Sequence, residues 1–301
     1  MSDSIPPREI NSTDYHSHAY QQSQTNHDES QLNRLAICQV YDYRCSLEFE
    51  LHALKQANIQ SIGLYRPRFA ECCDQDGLAL LRQHQIQVSS VAWAGGFTGS
   101  HGFTHDEAVT DACDAVKLAA QAGAGTVLIA TGARCGHTRN HTTRLICDGL
   151  KEVSDFALDR NVELAVIPML PRSASRWTCL NSIEEAMQVI LKCNRPNVGL
   201  GIDVSQLQNP DLLLDQAESI APHTKIMRMQ VFRTEVCSEG LEESSEAVLT
   251  LPLEEIVSQF TQQGYEGFFE FDLNLVEKWS AKTYRQMLFS CRELFAQTVL
   301  I

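Results

Sequence analysis

Short apolar, β-branched runs alternate with amphipathic stretches from about residue 35 onward, and this alternation restricts the fold more than any single motif does. The runs fall at 35–41, 59–65, 86–93, 126–131, 162–168, 198–204, 225–232 and 267–273. Between them lie stretches with helical periodicity, such as 107–122, where Ala108, Ala112, Ala115, Val116 and Ala119 share one face, and 143–158. Ser182 followed by Glu185 has the form of a capping box, and Asn209-Pro210 suits a helix entrance. Consecutive βα units on this scale predict one (β/α)8 TIM barrel over 34–301, because open doubly wound sheets usually stop at fewer strands. The preceding stretch, 1–33, is polar and offers too little apolar surface to offset ordering entropy, so a disordered tail is expected there. Its histidines His16, His18 and His27 read as part of a solvated leader, with metal capture as the alternative.

Charge and cysteine usage narrow the partners. A net charge of -14 opposes binding to a phosphate backbone, which needs a basic face, so no nucleic acid partner is expected. The 11 cysteines form an odd count without a C-x-x-C spacing, and adjacent Cys72 and Cys73 are poorly placed to bridge each other. They read as reduced thiols. No window approaches about 18 consecutive apolar residues, and the N-terminal stretch lacks a basic and then apolar leader pattern. The expectation is a cytoplasmic protein with no membrane partner.

In a barrel of this kind, chemistry belongs at the C-terminal strand ends. Those positions carry Tyr41, Asp42 and Tyr43; Arg66 and Arg68; Trp93 with the glycine-rich loop 95–100; Arg134, Cys135 and His137; Arg172, Arg176 and Trp177; Asp203 and Gln206; Arg233 and Glu235; Asp272 and Asn274. The catalytic candidates are Asp203 and Asp272. The substrate-binding candidates are Arg66, Arg68, Trp93, Phe97, Arg134, His137, Trp177, Gln206 and Arg233. The recurring arginines suggest a positive mouth for phosphate or carboxylate, or else carbonyl caps and surface ion pairs. Loop 95–100 reads as a phosphate cradle or as a lid, and Trp93, Phe97 and Trp177 as sugar-stacking faces or as barrel-top packing. Cys135 and His137 lack an orienting third group for nucleophilic catalysis, and His101, His105, His137 and His141 show no spacing that demands metal.

Several stretches together resemble the xylose isomerase-like barrels, the sugar phosphate isomerase/epimerase superfamily that includes endonuclease IV-type enzymes. They are Ser61-Ile62-Gly63-Leu64-Tyr65-Arg66-Pro67-Arg68, Trp93-Ala94-Gly95-Gly96-Phe97-Thr98-Gly99, Trp177-Thr178-Cys179-Leu180-Asn181, Gly201-Ile202-Asp203 and Gly264-Tyr265-Glu266-Gly267-Phe268-Phe269-Glu270. The resemblance implies a divalent manganese, magnesium or zinc ion held at the ends of strands 5 to 8. Here those positions read Ile167, Asp203 with Gln206, Arg233 and Asp272. An aliphatic side chain and a guanidinium offer no lone pair to a cation, so no cofactor is expected in this chain. Two functions follow from the resemblance. One is isomerisation or epimerisation of a sugar, sugar phosphate or sugar acid without metal, with Asp203 or Asp272 as base and arginines opposite the enediolate. The other is a non-catalytic barrel that binds a sugar ligand or a partner. DNA abasic-site cleavage shares the fold but conflicts with the lost ligands and the acidic balance. Arg233 is expected to lie between Asp203 and Asp272 as an ion-pair replacement for the metal.

Overall fold

The computed structural model describes residues 30–41, 44–70, 74–171, 176–207, 212–230, 253–273 and 280–299. Its strands are β1 (Leu35–Cys38), β2 (Ser61–Tyr65), β3 (Gln87–Gly95), β4 (Thr126–Ala130), β5 (Glu163–Val166), β6 (Val198–Asp203), β7 (Thr224–Gln230) and β8 (Phe269–Asp272). Each pairs in parallel with its sequence neighbour, and β8 returns to β1, closing the barrel. The helices α1 (Leu47–Gln56), α2 (Asp74–His84), α3 (His105–Ala122), α4 (Arg139–Leu158), α5 (Ile183–Cys193), α6 (Leu212–Ile220), α7 (Leu253–Gln262) and α8 (Ala281–Val299) follow the strands in order. This is the predicted (β/α)8 TIM barrel. Of the expected tail at 1–33, residues 1–29 lie outside the described residues, as does the Asn209-Pro210 helix entrance, whereas 30–33 are described and Leu32 packs against the core.

Local chemistry explains where the helices begin. Thr104 caps α3 and Glu107 reaches back to the Thr104 backbone N–H, so both arms of a capping box are made. At α5 the box is half formed: the Ser182 hydroxyl accepts from Glu185 N at 3.2 Å, but the Glu185 carboxylate takes the Asn181 N–H instead. Strand ends differ from expectation by up to three residues, β1 stopping at Cys38 rather than at 41. β5 stops at Val166, ahead of Pro168, which has no N–H to give a ladder, whereas β3 runs on to Gly95.

Alternation along the strands divides the side chains between two places. Outward residues such as Ile37, Ile62, Val91, Val127, Leu164, Phe269 and Phe271 meet the helices in the main core. Inward residues Ala92, Leu128, Ala130, Ala165, Ile167 and Ile226 form a smaller cluster inside the barrel, with Met169 above it and Trp93 packed against it. Among the described residues, no helix is long and apolar enough to cross a membrane, and every described cysteine is a free thiol.

Candidate functional site

The charged centre of the barrel is built on β7. Arg228 lies opposite Asp203 of β6 and opposite Glu270 of β8 in the strand registers. Its Nε stands 3.1 Å from Glu270 Oε2, an ion pair between side chains only 5% and 1% exposed, although the N–H is not aligned as a hydrogen bond. Its Nη2 lies 2.9 Å from Cys38 Sγ on β1, and its Cζ lies 5.3 Å from the Trp93 ring centroid. Glu270 is held from the other side. The hydroxyls of Ser89 and Ser90 donate to Oε1 at 2.6 and 2.5 Å. Two consecutive strand residues face one carboxylate because the β2–β3 register shifts there, Ile62 pairing with Val88 and Gly63 with Ser90, so that Ser89 is an inserted residue. Gly63 makes the space: a Cβ at that position would lie 2.5 Å from Glu270 Oε1.

Burial tends to strip the Arg228 proton, but Cys38, Glu270, Asp203 and Tyr41 around it more than offset that and raise its pKa well above the ordinary value. Burial likewise drives the Cys38 thiol well up, against the opposing pull of Arg228, so it is a neutral group. The Tyr41 ring is 40% exposed, yet burial of its polar end pushes the phenol up to about 12, with Arg228 opposing and Asp272 and Cys38 adding.

Above this pair sit the two aspartates. Asp203 ends β6 half-buried, and its Oδ1 accepts from Ser205 N at 3.1 Å and Ser205 Oγ at 2.6 Å. Burial raises its carboxyl pKa, Arg228 and Ser205 pull it back, and the like charge of Asp272 raises it further. Asp272 ends β8, also half-buried and opposite Gln230. The two carboxylates therefore flank β7 from either side, with a fixed guanidinium below and between them.

The loop that carries Tyr41 is fastened from behind. Glu50 of α1 is fully buried, and its Oε1 accepts from Val40 N at 2.8 Å. Arg68, also buried, donates to the Cys45 carbonyl at the loop's other end. Burial pushes the Glu50 carboxyl up to about 8, against the opposing effects of Val40, Arg68 and Gln39.

The other sequence candidates lie as follows. Arg66 forks onto Asp111 of α3 at 2.8 and 2.9 Å and also donates to the Trp93 carbonyl at 3.0 Å. Arg134 is exposed and donates to His137 O, while His137 Nε2 lies 3.2 Å from Thr98 O. Phe97 is buried beneath α4, where a Cβ on Gly149 would meet its ring at 2.6 Å. Trp177 is 42% exposed, and the Gln206 side-chain oxygen is buried without a hydrogen-bond partner among the described residues. Arg233, Arg172, Glu235 and Asn274 lie outside the described residues; the cation found at the barrel centre is Arg228. Sequence reasoning missed Arg228, Glu270 and Cys38 because it considered strand ends alone. The alternation Phe269-Glu270-Phe271-Asp272 carried the signal, since it puts both acids on one face.

The described residues do not fit a divalent-ion centre. Among those described, no group of three or more His, Cys, Asp or Glu stands close enough to hold a metal. Ile167 fills its own position, packed so closely on β6 that a Cβ at Gly201 would lie 2.6 Å from its Cγ1, and Arg228 places a positive charge next to Asp203. A cleft of about 890 Å³ between α4 and α5, lined by Arg134, Arg139, Asn181 and Lys192, lies on the flank and includes none of the central residues.

Residues 51–288 match the family described as xylose isomerase-like TIM barrel, and the chain belongs to that family. Among solved structures it is similar to protein SMc04130 from Sinorhizobium meliloti 1021, at 18% identity and a TM-score of 0.71 over 87% of this chain and 98% of that one. It is similar to 3-keto-D-glucoside 4-epimerase YcjR from E. coli, at 10% and 0.70 over 86% and 99%. D-psicose 3-epimerase from Clostridium cellulolyticum H10, solved with D-tagatose, gives 11% and 0.69 over 88% and 99%. At these identities the likeness shows the fold alone. No curated protein matches the chain.

Proposed function

We propose that this barrel binds a small uncharged sugar at its C-terminal face and moves a proton on it, in the isomerase or epimerase manner, without a resident metal. One observation carries the reading: the Arg228 guanidinium, locked by Glu270, occupies the centre of the site between two carboxylates. Asp203, whose carboxyl pKa is raised by burial against the pull of Arg228, removes a proton from the carbon beside the sugar carbonyl. The electron pair moves to the carbonyl oxygen, and the resulting enediolate faces the fixed charge of Arg228 and the phenol of Tyr41, which stays protonated and can donate. Asp272 takes up a proton from water and delivers it to the opposite face of that carbon, giving the epimer, and Asp203 releases its proton to water. The named epimerases of similar fold act on sugars, which supports the substrate class. Arg66, Arg68 and Arg134 each already serve a protein partner, which argues against the anionic mouth suggested by sequence.

A second reading, a barrel that binds a sugar without turnover, is favoured by the closed Arg228–Glu270 pair and the packed Ile167. Hydrogen exchange decides between them. Chelator-treated protein is incubated with aldoses and ketoses in D2O, and C–H loss is followed by NMR. Exchange that survives chelation and falls at least about a hundredfold in Asp203→Asn is expected. Binding without exchange, or exchange only after adding manganese, would overturn the proposal.

A further inference from the structure

Next to the barrel mouth a recess of about 400 Å³ opens beyond the ends of β2 and β3, against α2 and α3. That size falls in the range of small-molecule pockets. Three aromatic side chains line it, Tyr65, Trp93 and Trp177, together with the Arg66–Asp111 pair. It shares its wall with the mouth. Trp93 lines the recess and also packs over Arg228, while Tyr65 meets the ring of Tyr41 edge-on at a centroid distance of 4.5 Å.

Charge decides what such a recess accepts. Arg66 is neutralised by the two bonds to Asp111, and Asp114, also on the lining, is paired with Lys117 at 2.8 Å. Asp74 is the remaining charge among the described residues of the lining, and a phosphate or carboxylate would meet repulsion from it. The polar groups instead suit hydroxyls. The bonds to Asp111 and to the Trp93 carbonyl use three of the Arg66 N–H groups, leaving donors of a rigid fork facing acceptor oxygens, beside aromatic faces that cover the C–H side of a ring.

We infer that this recess is a subsite for an uncharged second ring, so that the substrate class is a glycoside or disaccharide whose reacting unit sits over Arg228 and whose distal unit stacks between Trp93 and Trp177. The inference rests on the reading of the mouth as a sugar site. Calorimetric titration tests it with D-glucose and D-fructose against cellobiose, maltose and sucrose. At least one disaccharide is expected to bind ten-fold or more tightly than its parent monosaccharides. Trp177→Ala should erase most of that gain. Ala70→Trp, which fills the recess from its rim, should abolish the gain while leaving monosaccharide affinity within two-fold. Disaccharides that bind no better than monosaccharides, or a gain that survives both substitutions, would overturn the subsite alone. Absence of binding by every sugar would overturn the mouth reading and the subsite with it.

Discussion

The inside of this barrel is two different solvents side by side. From β4 to β6 its wall is Leu128, Ala130, Ala165 and Ile167, with glycines at 199 and 201 where neighbouring chains press in. From β7 round to β3, Ile226 and Ala92 apart, it is Arg228, Glu270, Cys38, Ser89 and Ser90. The apolar half is held by contact area, which degrades gradually when a methyl is removed. The polar half is held by partnership, and a missing partner leaves a buried charge that water cannot reach. Asp203 and Asp272 rise from strands on either side of Arg228, and Ile167 belongs to the apolar wall.

The largest effect should come from dismantling the polar half by one residue. Arg228→Ala is expected to cost about 3–5 kcal/mol in urea unfolding, because Glu270 is left buried and unpaired, whereas Arg228→Met with Glu270→Leu should recover most of the loss. A single substitution costing under about 1 kcal/mol would erase the distinction between the halves.

The next effect concerns pH and the support behind β1. Glu50 ionises near 4.5 in an unfolded chain but at about 8 when folded, so the native state holds the extra proton between those values. Stability contributed by the neutral carboxyl is therefore complete below about pH 4.5 and declines as pH rises toward 8. The total is on the order of a few kcal/mol. Glu50→Gln should flatten that slope in melts between pH 5 and 9, about the interval its raised pKa defines. An unchanged slope would remove Glu50 as its source.

The smallest effect belongs to the apolar half. Ile167→Val should cost only about 0.5–1.5 kcal/mol, by the same amount at pH 6 and pH 8, since nothing ionisable depends on it. A pH-dependent cost would show that the two halves are coupled.

Much of the architecture was legible because it is periodic. The eight runs and Ala-rich α3 announce themselves through repeats of 2 and 3.6 that depend only on which residues face water. The strand-end placement of Ile167, Asp203 and Asp272 could also be read, since each ends a strand or stands just beyond it. What could not be read is who neutralises whom. Arg66 could be read as a rim cation for an anion or as half of an ion pair, and the partner that decides it, Asp111, is 45 residues away on another helix. Phe97 looked like a mouth residue until α4 covered it. The inserted Ser89 turns on a one-residue slip between β2 and β3 that leaves no mark in composition.

The cleft that Gly63 leaves for Glu270, and the arginine that Glu270 holds, also govern which substitutions this chain can accept. Replacing the arginine strands the acid, replacing the acid strands the arginine, and giving residue 63 a side chain crowds both. Mutation can therefore sample the rim of this barrel one residue at a time, but reaches its centre only through paired changes.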